Sequence, residues 1–328
     1  MVLAEFLREW NSPSDRLLVH TSGSTGCPKP LWVEKEKMKA SAHITCDFLG
    51  LNAGDTALLC MPLDYIAGKM MVVRSLVRGM QLIETPPSSH PLRDIRQPID
   101  FAAMVPMQVY ETLRVPEERE RLRNIRHLII GGGAVHNGLS AELRHFPNAV
   151  WSTYGMTETL SHIALRRLNG SEADEWYTAF DTVTLRVSAE GCLMIDAPLV
   201  CEGTIVTRDR AELSPSGRRF RILGRIDNVI CSGGIKIQAE EIEEQLRLFV
   251  PVPYMITKRS DARFGEVMVM LVEGGDTETI RAICQQHLER HLRPRVYLSV
   301  AHLPLTETGK PNRAEATRIA TEANEQIL

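Results

Sequence analysis

Short, uninterrupted apolar runs alternate with stretches of helical period through the first 180 or so residues. Leu17-Leu18-Val19, Thr56 to Met61, Gln81-Leu82-Ile83, Phe101 to Val105 and His127 to Ile130 have the length and continuity of buried strands. Between them, Val33 to Leu49, Gly68 to Val77 and Pro106 to Leu113 place apolar and small residues at helical spacing. Residues 1 to 16 read as a short helix and a Ser12-Pro13-Ser14-Asp15 turn. Strands that alternate with amphipathic helices predict a parallel α/β sheet, in which ligands sit beyond the carboxyl ends of the strands. Three loops rich in glycine or hydroxyls follow strands in this way, at residues 21 to 30, 131 to 134 and 152 to 159. They are expected to converge on one crevice.

The pattern changes after about Asp181. Val183 to Val187 and Cys192 to Ile195 alternate as strands do around Glu190-Gly191, which predicts a small β subdomain. From Gly224 onward the order is a turn at Ser232-Gly233-Gly234, a helix over Gln238 to Phe249, strands at Tyr254 to Lys258 and Glu266 to Glu273, a helix over Asp276 to His291, and a strand near Tyr297 to Val300. That length of α+β pattern suffices for a separate C-terminal domain. The expected division is 1–224, with its α/β core ending near 180, and 225–328.

Composition narrows the function. The 328 residues are 44% hydrophobic and 24% charged, as in ordinary globular proteins, and the formal net charge of −3 offers no field for nucleic acid. The segment Arg114 to Arg126 is the densest in arginine, but Glu117, Glu118 and Glu120 make it a solvated helix face. The first residues lack a secretory apolar region, and Asp64 and Lys69 break the longest apolar stretch, so a cytoplasmic protein without membrane insertion is expected. Seven cysteines without a Cys-x-x-Cys pair suggest neither a disulfide framework nor a zinc site. His287 and His291 stand four apart on the expected last long helix, but with no third ligand they read as surface histidines.

The loop Thr21-Ser22-Gly23-Ser24-Thr25-Gly26-Cys27-Pro28-Lys29 has the makings of an anion cradle. Glycines let backbone N–H groups approach a phosphate, hydroxyls add hydrogen bonds and Lys29 brings a mobile charge. An ordinary Ser/Thr/Gly surface turn has the same composition. A Walker A loop is excluded, because Cys27-Pro28 separates Gly26 from Lys29 and Pro30 follows. A Rossmann fingerprint at Gly131-Gly132-Gly133 fails at His136.

Taken together, four motifs resemble those of the adenylate-forming superfamily of acyl-CoA synthetases, luciferases and nonribosomal adenylation domains. The loop at 21–29 resembles its phosphate loop, and Tyr154-Gly155-Met156-Thr157-Glu158-Thr159 its second core motif. Asp209 with Gly224-Arg225-Ile226-Asp227-Asn228 resembles the ribose and hinge motifs, and Thr308-Gly309-Lys310-Pro311-Asn312-Arg313 the C-terminal lysine motif. They occur in the family order and span nearly the whole chain.

The resemblance implies a two-step reaction with ATP, Mg²⁺ and a thiol such as CoA, in which a small carboxylic acid is first adenylated. It makes Thr21, Ser22, Gly23, Ser24, Thr25, Gly26 and Lys29 the triphosphate wall, Thr157 a hydrogen-bond donor to the α-phosphate, and Glu158 the magnesium ligand. Gly132, Gly133, Ala134, Tyr154 and Gly155 would border the nucleotide, and Asp209 and Arg225 its ribose. Lys310 would contact the acyl carboxylate and phosphate during adenylation. Asp227 would be the hinge about which a mobile C-terminal domain withdraws Lys310 and brings Ser232, Gly233 and Gly234 toward the thiol.

Within the superfamily the local wording resembles the branch that activates o-succinylbenzoate for menaquinone biosynthesis. It is carried by Pro62-Leu63-Asp64-Tyr65-Ile66-Ala67-Gly68 leading to Arg74, and by Thr207-Arg208-Asp209-Arg210. Arg74 suits an acid with a second carboxylate, which guanidinium clamps bidentately, whereas an arginine snorkelling to solvent is the ordinary alternative. Three departures stand out. The large N-terminal part of the usual member is absent, as in a compact ligase or a chain that needs a partner surface. Tyr65 replaces the usual histidine of the acyl gate, and the Asp209 to Arg225 spacing is one residue long. Other expectations kept open are a ligase for another acid, a carrier-loading enzyme, a non-catalytic nucleotide-binding regulator, and a homo-oligomer.

Overall fold

In the computed structural model residues 1–20, 30–133, 135, 137–306 and 311–325 are described. The chain divides into two compact units. The first comprises Met1–Arg186, Met194–Ile205 and Leu213–Arg221, and the second Val187–Leu193, Val206–Glu212 and Ile222–Leu328.

In the first unit β1 (Arg16–His20) and β2 (Pro30–Glu34) form an antiparallel pair with His20 opposite Pro30. Helix α1 (Leu3–Trp10) precedes this pair; the sequence pattern placed the helix that follows it from Val33, but α2 runs Lys35–Leu49. The difference has a simple cause: Val33 pairs with Leu17 and is buried, so it is spent on the sheet. The main sheet is built on β3 (Thr56–Leu59), β4 (Gln81–Glu84), β5 (Phe101–Met104), β6 (His127–Ile130) and β7 (Ala149–Gly155). These five are parallel in the order β4-β3-β5-β6-β7; β3, β5 and β6 have the uniform apolar runs of strands covered on both faces, while β4 is partly exposed and β7, which takes in residues 152–155 of an expected loop, alternates in burial. Strands β8 (His162–Arg167) and β9 (Tyr177–Ala179) continue it antiparallel.

Helix α3 (Ile66–Arg78) is buried continuously from Gly68 to Ser75, with Lys69 and Arg74 among its enclosed side chains. Its first turn lies so close to the preceding loop that a Cβ on Gly68 would stand 2.3 Å from the Pro62 carbonyl oxygen. Alanine is the better helix former by about 1 kcal/mol, yet backbone overlap of this kind costs about 1–3 kcal/mol. Gly68→Ala is therefore expected to lower the melting temperature by several degrees. Thermal unfolding checks this, and a raised midpoint would mean that the loop yields freely.

The second unit holds the hairpin Val229–Ser232/Ile235–Gln238, turned by Gly233 and Gly234 at φ of +58° and +85°. Tyr254–Asp261 and Gly265–Glu273 pair antiparallel, and Val296–Val300 lies parallel to the latter. The run Val267 to Val272 is wholly apolar because both of its faces are covered. Met268, Met270 and Val272 join a cluster with Ile242 and Ile280, while Val269 and Leu271 meet Ala316 and Ala320. The helix expected over Asp276 to His291 spans Thr277–His287 and stops where Leu288 turns extended (φ −117°, ψ 145°). His287 stacks on Phe249 and His291 pairs with Glu289, so the two histidines do not share a helix face. Among the described residues no helix is long and apolar enough to cross a membrane.

Candidate active site

Strands β6 and β7 end side by side, and their loops hold two of the predicted motifs. Gly131 follows β6 so tightly that a Cβ there would meet Thr153 Oγ1 of β7 at 2.4 Å. Gly132 and Gly133 are exposed beyond it, while Ala134 lies outside the described residues. At the end of β7, Thr157–Thr159 makes one 3₁₀ turn. Thr159 is fully buried: its Oγ1 accepts from the Met156 N–H at 3.0 Å and donates to the Ser161 carbonyl at 2.7 Å. Leu160 follows at φ +63°, a conformation that costs a leucine of order 1–3 kcal/mol. The turn folds back on the strand so closely that a Cβ on Gly155 would lie 2.2 Å from the Ser161 carbonyl oxygen. This arrangement leaves Glu158 exposed beside the buried Thr157.

Tyr154 is half-buried in an aromatic cluster, edge-on to Phe220 at 5.1 Å and tilted to Tyr177 at 5.9 Å. Tyr65 caps the start of α3 and bridges to His20, the residue that precedes the phosphate-loop segment. Thr21, Ser22, Gly23, Ser24, Thr25, Gly26 and Lys29 themselves lie outside the described residues, as does Lys310.

About two and a half turns along α3 from Tyr65, Arg74 does not snorkel. It is 2% exposed, and burial pushes its guanidinium down to about 10, which leaves it cationic at neutral pH. Its Nη2 donates to Ser161 Oγ at 2.5 Å, its Nη1 reaches only the Met71 sulfur at 4.0 Å, and its Nε has no partner among the described residues. No carboxylate forms an ion pair with it there. Beyond Ser161, the His162 ring bonds Ser161 Oγ through Nδ1 (3.2 Å) and Thr45 Oγ1 through Nε2 (3.1 Å). Burial first, then the Arg74 charge, push His162 well below its ordinary value. Ser161, His162 and Thr45 escaped the sequence reading. A hydroxyl and an imidazole directly after the Thr157 to Thr159 motif were the available signal.

In the second unit, Asp209 and Arg225 form an ion pair with each other, Arg225 Nη1 donating to Asp209 Oδ1 at 3.3 Å. Arg225 Nη2 also donates to Asp227 at 2.9 Å, and Arg208 Nε reaches both Asp227 oxygens at 2.6 and 2.7 Å. The Arg208 guanidinium, with Arg225 adding to it, holds the Asp227 carboxyl below the usual range. The residue expected to act as hinge is therefore clamped between two arginines, of which sequence reasoning singled out only Arg225. Ser232, Gly233 and Gly234 form the nearby hairpin turn, where Gly233 N–H bonds the Phe264 carbonyl at 2.8 Å.

Among the described residues no three histidine, cysteine or acidic side chains cluster to cage a metal. A single exposed carboxylate at Glu158 instead fits magnesium, which keeps waters and takes its other ligands from substrate phosphates.

Comparison with known proteins agrees with the geometry. Residues 5–189 match the family model of the AMP-binding enzymes. The 2-succinylbenzoate–CoA ligase of Listeria innocua is 25% identical over 94% of this chain, which spans 71% of that relative. An acyl-CoA synthetase (AMP-forming)/AMP-acid ligase II-like protein of Dyadobacter fermentans is 32% identical, with a TM-score of 0.65 over 96% of this chain and 92% of its own. The o-succinylbenzoate coenzyme A synthetase of Bacillus subtilis, solved with ATP and magnesium ion, shares the fold at a TM-score of 0.75. It is 22% identical over 91% of this chain and 69% of its own.

Proposed function

The chain belongs to the AMP-binding enzyme family, and on that premise we propose that it is an ATP-dependent ligase joining o-succinylbenzoate to CoA. The observation that carries the choice of acid is Arg74, a buried cation with a free Nε and no carboxylate among its described partners. Such a group is costly in the empty protein and gains most from an anion brought by the substrate.

In the first half-reaction a carboxylate oxygen of the acid attacks the α-phosphorus of ATP, and the bond to pyrophosphate breaks. Two anions must be aligned and their charge neutralised. Thr157 donates toward the α-phosphate, the glycines after β6 admit the nucleotide to the backbone, and Arg74 holds the acid by its second carboxylate. Glu158 would hold magnesium, which supplies charge neutralisation at the phosphates when bound. In the second half-reaction the CoA sulfur attacks the acyl carbon and AMP leaves. Lys310 serves the first step. Residues 225–328 then move about Asp227 to bring the Ser232-Gly233-Gly234 turn to the second, and of the two arginines on Asp227 only Arg208 lies outside the moving part.

A panel of carboxylic acids with ATP, Mg²⁺ and CoA tests the reading by pyrophosphate release and thioester formation. Selection of o-succinylbenzoate over benzoate by a hundredfold or more in kcat/KM is expected, as for a site built around a buried charge. No preference between the two would defeat the choice of acid. Release of pyrophosphate with neither acid would defeat the ligase.

A further inference from the structure

The contacts around Arg74 form a directed chain. Thr45 has one hydroxyl proton, which its Oγ1 gives to the Ser41 carbonyl at 3.1 Å. Toward His162 it can therefore only accept, so Nε2 carries the ring proton. A neutral imidazole has a single N–H, which leaves Nδ1 to accept from the Ser161 hydroxyl. With its proton so committed, Ser161 Oγ turns its lone pairs to Arg74 Nη2. Every donor in the series has one acceptor, and Arg74, Thr45 and His162 are at least nine-tenths buried. The burial and the neighbouring charge that disfavour a protonated His162 support the same assignment.

We propose that Thr45, His162 and Ser161 are a positioning relay that fixes the Arg74 guanidinium with its Nε edge free, and so sets the specificity for an acid with a second carboxylate. The relay rests on the reading of Arg74 as the acid's anchor. Its action is geometric. With Nη2 tied to Ser161, the planar fork cannot rotate, and the unpartnered Nε presents a fixed donor to the incoming carboxylate. A histidine with the opposite tautomer would aim an N–H at Ser161, reverse the hydroxyl and set its proton against the guanidinium.

The test pairs kinetics with the state of the ring. Ser161→Ala and His162→Phe should each raise KM for o-succinylbenzoate about 10- to 100-fold, the worth of a hydrogen bond to a charged group, with a much smaller change in KM for ATP. The double variant should be no worse than either single one, since both break one chain. His162→Asn, which restores an acceptor at the place of Nδ1, should recover most of the loss. An unchanged KM in Ser161→Ala, or additive losses, would overturn the relay. Nitrogen-15 NMR of the wild-type protein should show His162 neutral with its proton on Nε2 at pH 7. A proton on Nδ1, or a charged ring, would overturn the proposal even where a variant fails to fold. Because this reading of the ring needs no substrate, it also separates failure of the relay from failure of the proposed acid.

Discussion

Lys310→Ala is expected to cut the rate of acyl-adenylate formation by about 10²- to 10³-fold, the usual loss when one preorganised charge or donor is taken from a developing transition state. The adenylation step brings a carboxylate against a triphosphate, so a cation that meets both is worth more there than anywhere else in the cycle. Lys310 lies outside the described residues, but those on either side of it are tied together. Leu305 and Pro311 pair across it, and the Asn312 N–H bonds the Pro304 carbonyl at 2.9 Å. Just beyond, Arg313 is fixed by Glu243 at 2.7 and 2.8 Å and by the Ile256 carbonyl at 2.6 Å. The proposal separates the two half-reactions. Preformed acyl adenylate should still be converted by CoA at close to the wild-type rate, because Lys310 has no part in thioester formation. Single-turnover measurement of each half-reaction decides it, and equal losses in both would refute the assignment and the rotation that depends on it.

What the sequence disclosed and what it hid divide along a physical line. Thr56–Leu59, Phe101–Met104 and His127–Ile130 were legible because they are buried almost throughout, which forces a continuous apolar run, whereas Ala149–Gly155 alternates in burial and its second half read as a loop. The turns at Gly131-Gly132-Gly133 and Thr157-Glu158-Thr159 were legible as turns because glycine and hydroxyl residues restrict the local backbone. The strand Pro30–Glu34 was not, since only its pairing with Arg16–His20 keeps Val33 out of the helix. The relay was hidden for a stronger reason. Arg74 and Ser161 are 87 residues apart, and Thr45 and His162 are 117 apart, so no local pattern joins them. Arg208 was named only as part of the Thr207–Arg210 run, because its pairing with Asp227, 19 residues on, is not a local pattern. Even the fate of Arg74 depended on tertiary packing. The same helix-borne residue would have snorkelled had α3 lain at the surface.

Replacing Arg74 should move stability and specificity in opposite directions. In the unliganded protein its charge is buried without an ion-pair partner, with only Ser161 and a thioether sulfur as hydrogen-bond acceptors. A side chain of similar volume without charge removes that desolvation, and such exchanges are neutral or stabilising by about 1–4 kcal/mol. Arg74→Met is therefore expected to keep or raise the melting temperature, by about 2–4 °C for each kcal/mol gained. The same change removes the only cation that the described site offers the second carboxylate of the acid. Losing one partner of a buried, hydrogen-bonded charge pair costs about 3–5 kcal/mol, so KM for o-succinylbenzoate should rise at least about a hundredfold. KM for ATP should change far less, and the preference over benzoate should collapse. Arg74→Lys keeps the charge but loses the planar fork, and should fall between the two enzymes in acid affinity. Thermal unfolding set beside steady-state kinetics with both acids checks the pair of effects. A lowered midpoint together with equal losses for o-succinylbenzoate and benzoate would make Arg74 a structural residue. A raised midpoint with a selective loss identifies a charge kept buried for the substrate.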